Sequence, residues 1–292
     1  MRVLVVGGNG FIGGEVTRNL ESAGLNVKVM SRNFSNSTNV EQFIGDLQYP
    51  ESYLGMLRAW KPQVVVQSAW VTSLNDYRTS EENERFKSGT VLFAENCFRH
   101  NVEHFVGLGS CAEYGQTQIN CVAGFTPTHP LDQYSRSKVT TSSDLVSLAS
   151  KYSGNLTWAR IFQPYGPRQD PNRLVPKAVA AMSSNQKIHL KYPNSILDWI
   201  STRDIASAIN FCISTPTDEM VDIGTSVGTS VLELMYSLCQ EMGVDENLVT
   251  FDSFSKKAGE NTLVVGVNSP LLKMGWRPSD NLKSGLSWTI GK

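Results

Sequence analysis

Residues 3–13 constrain this chain most. Val3-Leu4-Val5-Val6 is a short apolar run, stopped by Gly7-Gly8-Asn9-Gly10-Phe11-Ile12-Gly13. Such a run reads as a buried strand of a parallel sheet. Segment 11–23 then has helical periodicity and stops at Gly24. A second apolar run at 27–30 completes a β–α–β unit of about 30 residues. Glycines at such a turn permit a tight bend and let a pyrophosphate approach the helix N-terminus. A plain Gly-rich turn without a ligand is the alternative.

The same alternation continues. Apolar runs recur at 64–66, 104–108, 156–161 and 220–223, with helix-like segments between most of them, including 78–100 and 133–152. The pattern predicts an α/β fold with a Rossmann-type doubly wound parallel sheet, whose βα loops gather at one edge. From Gln163 the texture changes: Pro164, Pro167, Pro171 and Pro176 crowd one stretch, and shorter segments follow. A smaller mixed α/β substrate lobe is expected there. The boundaries are residues 1–164 plus 197–224 for the dinucleotide-binding domain, and 165–196 plus 225–292 for the substrate-binding lobe.

Composition excludes several classes. With 292 residues, 40% of them hydrophobic, the chain can bury a large core. A formal charge of -1 and no basic run leave nucleic acid without an electrostatic footprint. Cys97, Cys111, Cys121, Cys212 and Cys239 are odd in number and lack metal-ligand spacing, which fits free thiols in a reducing compartment and no structural metal. No apolar run reaches the length of a membrane span. A strand at residues 2–7 leaves no room for a signal peptide ahead of it. A soluble, cytoplasmic protein is expected, with no nucleic-acid or membrane partner.

Candidate chemistry lies at the strand ends. Tyr134 and Lys138 are four apart on one helix face. A phenol titrates near ~10, and a neighbouring ammonium would lower that value and make the pair a proton donor and acceptor. Ser110 follows a strand and could donate to a carbonyl or alkoxide oxygen; a helix-cap serine is the commoner fate. Ser31-Arg32 ends the second strand, where an acid usually meets ribose hydroxyls. Arg there can pair with a 2′-phosphate, which favours NADP(H), with NAD(H) as the alternative. Asp46 and Leu47 follow the third strand and could reach the adenine end, or Asp46 could be a turn residue. Trp60 and Trp70 read as core aromatics, the four histidines as solvated or core, and Cys111 as an inert thiol.

These residues form an ordered set. The Gly7–Gly13 turn is followed by Ser110 four residues before Tyr114-Gly115, and by Pro127-x-x-Pro130-x-x-x-Tyr134-x-x-x-Lys138. Arg160-Ile161-Phe162-Gln163-Pro164-Tyr165-Gly166-Pro167-Arg168, then Asp198-Trp199 with Asp204, and Lys273-Met274-Gly275-Trp276-Arg277-Pro278 complete it. Over nearly its whole length the chain resembles the extended short-chain dehydrogenase/reductases, the NAD-dependent epimerase/dehydratase family. The resemblance implies Tyr134 as acid/base, Lys138 lowering its pKa and holding the nicotinamide ribose, and Ser110 binding the reacting oxygen. It implies a cofactor site of Gly7, Gly10, Phe11, Ile12, Gly13, Ser31, Arg32, Asp46, Leu47, Ala69, Tyr134, Lys138 and Pro164. Gln163 stands where the family usually has an Asn on the sugar nucleotide. A homodimer through 78–100 and 133–152 is also implied.

Three departures shape the functional expectation. Leu197 replaces the Arg that usually contacts the nucleotide phosphates, and Arg168, Arg173 and Arg203 are the candidates to take its place. Phe86 stands where Asn is common near the cofactor. Cys111-Ala112 replaces the Asp-Glu pair with which 4,6-dehydratases protonate a leaving hydroxyl and remove a carbon-bound proton, and Glu113 is one position late. The resulting expectation is NADPH-dependent reduction of a nucleotide-linked 4-keto-6-deoxy sugar to a nucleotide-linked deoxyhexose. The alternatives are a nucleotide-sugar C4 epimerase holding NAD, a non-enzymatic NADP-sensing regulator, and a reductase of a non-nucleotide carbonyl.

Overall fold

The structure, a computed structural model, describes residues 1–35, 39–71, 77–216, 220–252, 262–267 and 270–292. The first half runs β1 (Arg2–Val6), α1 (Phe11–Ser22), β2 (Asn26–Ser31), β3 (Gln42–Ile44), α2 (Leu54–Trp60), β4 (Val64–Gln67), α3 (Glu82–Arg99), β5 (His104–Ser110), α4 (Gln133–Tyr152) and β6 (Asn155–Ile161). Then come β7 (Gln163–Tyr165), α5 (Leu174–Ser183), β8 (Ile188–Leu190), β9 (Ile196–Ser201), α6 (Thr202–Ser214), β10 (Met220–Ile223), β11 (Gly228–Ser230), α7 (Val231–Met242), β12 (Val249–Phe251), β13 (Leu263–Val264), α8 (Pro270–Met274) and α9 (Leu282–Thr289).

Seven strands form a parallel sheet in the order β10-β6-β5-β4-β1-β2-β3. The chain leaves β1 to one side for β2 and returns to its other side for β4. That reversal opens a crevice beyond the carboxyl ends of these strands. Alternation divides β1 between two cores. Val3 and Val5 pack with Val16 and Leu20 of α1 and Ile205 and Ile209 of α6. Leu4 and Val6 pack with Phe93 of α3 and Leu145 of α4. Each such fully buried aliphatic side chain contributes about 1.5–3 kcal/mol. Among the described residues, no helix is long and apolar enough to cross a membrane.

The lobe has its own core, in which α5, α7 and α9 contribute Val175, Leu234 and Leu286. Strand β9, which spans the expected boundary at 197, hydrogen-bonds with β7, β11 and β13 in a sheet separate from the main one. The helix that follows, α6, does pack under the main sheet, against α1. Buried Asp198 fixes this seam: it accepts from Thr225 N and Oγ1, Ser226 N and Gly266 N at 2.6–3.3 Å. Asp204 likewise holds Ser279 N and Asp280 N at 2.8 and 3.0 Å. Neither aspartate lines the cleft described next.

Candidate active site

The crevice is one cleft of about 1200 Å³ between sheet edge and lobe. At one end lies the glycine turn. Gly7 has φ +75, and a Cβ there would lie 2.8 Å from Ala69 N. A Cβ on Gly13 would overlap Gly7 O and Ser68 Oγ. Only Gly7 O, at 3.1 Å, stands within 4 Å of a Cβ built on Gly10, so that side of the turn is open. The N-terminus of α1 has no side-chain cap and no acid in its first turn, and Gly10, Phe11, Ile12 and Gly13 all line the cleft. Unsatisfied N–H groups there suit an anion, and the cradle fits a dinucleotide pyrophosphate.

Beyond it, Ser31, Arg32, Asp46 and Leu47 line the wall, as do Ala69 and Pro164. The Ser31 hydroxyl accepts from Asn9 Nδ2 at 2.9 Å and donates to Asn33 O at 2.7 Å, so it shapes the loop that carries exposed Arg32. Asp46 Oδ1 accepts from Gln48 N at 2.9 Å, a turn contact, while the residue still borders the cleft.

At the centre, β5 delivers Ser110 and α4 delivers Tyr134 and Lys138. Asp132 caps α4, accepting from Ser135 N at 2.8 Å, while Ser135 Oγ accepts from Asp132 N. Such a cap is worth about 1 kcal/mol and fixes where the first turn begins. Tyr134 lies in that turn, half-buried, with its N–H donated to Arg78 O at 3.0 Å. Ser110 takes the capping role: its Oγ caps the 3-10 turn Cys111–Tyr114, accepting from Ala112 N at 3.2 Å, and the residue lines the cleft together with Tyr134.

The electrostatics depart from the expectation. Lys138 is buried, donates from Nζ to Leu108 O at 2.7 Å, and sits 3.6 Å from the Trp70 ring centroid. Burial pushes its ammonium down to about 7, against a weaker opposing pull from Glu113. Burial also pushes the Tyr134 phenol up, against a smaller lowering by Ser110. The lysine therefore does not hold the phenol down here, because burial favours its neutral amine and so removes part of the charge that would stabilise a phenolate. Cys111 is buried and its thiol is pushed up to about 12, mainly by desolvation, so little thiolate forms.

Glu113 turns into the floor. Its carboxylate takes Arg160 Nε at 2.8 Å, Trp158 Nε1 at 3.1 Å and Ser110 N at 2.8 Å. Arg160 also meets Tyr114 OH, which donates to Asp222 at 2.9 Å; burial pushes Asp222 up to about 6. Removing one partner of a buried pair leaves the other charge uncompensated. Glu113→Gln should therefore cost about 3–5 kcal/mol of stability, read as a fall in the urea midpoint; a midpoint equal to wild type would show the network to be dispensable.

On the lobe side, Gln163, Arg168, Arg173, Leu197 and Trp199 line the cleft. Arg168 pairs with Glu15 of α1 at 3.4 Å, which puts it by the glycine turn rather than against the lobe. Arg203 is not in the cleft. Asp280 holds its guanidinium through Nε and Nη2, and Trp288 stacks on it at 4.5 Å. Position 203 falls in the first turn of α6, facing the C-terminal segment, so it cannot stand in for a phosphate-binding Arg. Among the described residues no cluster of His, Cys, Asp or Glu could hold a metal ion.

Several lining residues escaped the sequence reading. Trp70, read as core, instead covers Lys138, and Tyr77, Arg78 and Arg85 line the wall before and on α3. Trp70 carried a signal, since it stands three residues past Gln67 at the ligand edge of the sheet. The other three follow no motif.

The sequence profile of the NAD dependent epimerase/dehydratase family matches residues 3–224. The chain belongs to this family. Within it, similar proteins include GDP-6-deoxy-D-talose 4-dehydrogenase of Aggregatibacter actinomycetemcomitans, 26% identical over 91% of each chain. The human dTDP-D-glucose 4,6-dehydratase is 22% identical over 99% of this chain and 89% of its own. The fold matches the Thermus thermophilus UDP-glucose 4-epimerase complex with NAD, with TM-score 0.85 and 23% identity over 99% of this chain and 98% of that one.

Proposed function

We propose that this family member is an NADPH-dependent reductase of a nucleotide-linked 4-keto-6-deoxy sugar. One observation carries the reading: Ser110, Tyr134 and Lys138 line one cleft, while Glu113, the acid three residues after Ser110, is spent on Arg160. Water elimination needs an acid and a base at the substrate carbons, and no carboxylate stands at positions 111–112. A bound nicotinamide dinucleotide supplies the hydride. Ser110 donates to the carbonyl oxygen as charge grows on it. Tyr134, held protonated by burial, gives that oxygen its proton. Lys138 orders the ribose side of the site. A 4-dehydrogenase of a GDP-linked 6-deoxyhexose among the relatives works the same position in the oxidative sense, which supports C4 as the reacting carbon.

Arg32 supports the choice of NADPH. Arg32→Ala should lower kcat/KM for NADPH about 10–100-fold while leaving NADH within about twofold, measured by parallel steady-state assays; equal losses with both would remove the 2′-phosphate assignment. A C4 epimerase with bound NAD is the second reading, favoured by the structural likeness to epimerases solved with NAD. An epimerase cycle would use the Tyr134 phenol as base in one half and as acid in the other, whereas net reduction uses only the acid form, which burial favours. In either case α3 and α4, which pack on one another and expose Leu92 and Val146, would form the homodimer face.

A further inference from the structure

The cations lining the cleft sort by position. Among the described residues they are Arg32, Arg78, Arg85, Lys138, Arg168 and Arg173. Arg32 follows β2, and Arg85 lies in the field of Asp46, so both stand at the adenosine end. Arg168 is against α1 and Lys138 is under Trp70. Arg78 and Arg173 remain, and both lie against Tyr77. Their Cζ atoms are 5.6 and 4.6 Å from its ring centroid, and Arg173 Nη1 is 3.4 Å from its hydroxyl. The same ring meets Tyr134 edge-on, with centroids 5.2 Å apart and planes at 77°. Two guanidiniums thus stand one ring away from the reacting centre. They come from opposite walls, Arg78 ahead of α3 and Arg173 at the N-cap of α5.

Leu174, Val175, Leu197, Trp199 and Val264 add an apolar lining suited to a base or a sugar edge. A phosphate held beside that lining has Arg78 and Arg173 as charge partners. Guanidiniums suit that role because they present forked donors to phosphate oxygens and keep their charge when desolvated. Arg78 is already tied to Asp132, Nη1 to Oδ2 at 2.6 Å. Asp132 caps α4, so an anion on Arg78 touches the helix that carries Tyr134 and Lys138.

We propose that Arg78 and Arg173, mounted on the Tyr77 ring, bind the diphosphate of the nucleotide-linked substrate in place of an Arg at position 197. This rests on the nucleotide-sugar reading above. The test is calorimetric titration of the NADPH-loaded protein with UDP, GDP, CDP and dTDP. One of the four should bind wild type. Arg173→Met and Arg78→Met should each weaken it about 10–100-fold, with the matching nucleoside monophosphate losing less. NADPH affinity should stay unchanged, which reports an intact fold, and Arg173→Lys should recover part of the loss. Diphosphate binding that both Met variants leave within about twofold of wild type would overturn the clamp alone. Failure of all four to bind wild type would overturn the nucleotide-sugar reading and the clamp with it.

Discussion

Replacing Tyr134 with Phe lowers kcat about 10²–10⁴-fold and leaves NADPH affinity unchanged. Under the reductase reading, the lost hydroxyl is the donor that protonates the substrate oxygen. General acid catalysis contributes about that factor. The ring itself keeps its edge contact with Tyr77, so the helix and the cofactor wall should persist. Steady-state kinetics on the true substrate, with a fluorescence titration of NADPH alongside, reads both quantities. Turnover at the wild-type level would remove Tyr134 from the chemistry.

Replacing Lys138 with Met should abolish most turnover and, at the same time, stabilise the fold. The ammonium is buried with its folded pKa near 7, against about 10.5 in the unfolded chain. Between those values the unfolded state holds a proton that the folded state lacks, so stability rises with pH across that window. Below about pH 7 the full cost of burying the charge is present, on the order of 3–5 kcal/mol; by about pH 9 it falls to about 2 kcal/mol. Met fills similar space without a charge, although Leu108 O loses its Nζ donor. The expected result is a higher unfolding midpoint for Lys138→Met at pH 6, a gap that narrows by pH 9, and a kcat reduced at least about 10²-fold. A variant less stable than wild type at pH 6 would show that the Leu108 and Trp70 contacts outweigh desolvation. The pairing of lost function with gained stability is what a site strained for catalysis should show.

Much of this architecture was legible because local rules and tertiary structure agree. Six of the seven strands of the main sheet follow from apolar runs ended by polar or glycine residues, the exception being the short β3, and α4 occupies 133–152 as its periodicity indicated. Gly7, Gly10 and Gly13 could be placed because their spacing encodes backbone geometry. What escaped depends on direction rather than on residue type. Whether Arg203 turns toward the cleft or toward Asp280 is decided by a C-terminal segment 77 residues away in sequence. Trp70 could be a core aromatic or a lid over Lys138 with the same neighbours in the chain. The sign of the Tyr134 shift was also hidden: spacing shows that Lys138 is close, but only burial shows that Lys138 is itself desolvated. For β9 the pairing partners came from 163–165, 228–230 and 263–264, which no local pattern could connect.

The central claim is net reduction in this cleft, and one assay addresses it directly. Purified protein is supplied with NADPH and a panel of nucleotide-linked 4-keto-6-deoxy sugars, and loss of reduced-nicotinamide absorbance is followed alongside product analysis. The account predicts that one member of the panel is converted to a deoxyhexose with one NADPH consumed per product. Interconversion of 4-epimers of a nucleotide sugar with no NADPH consumed, and NAD released when the protein is denatured, would contradict it.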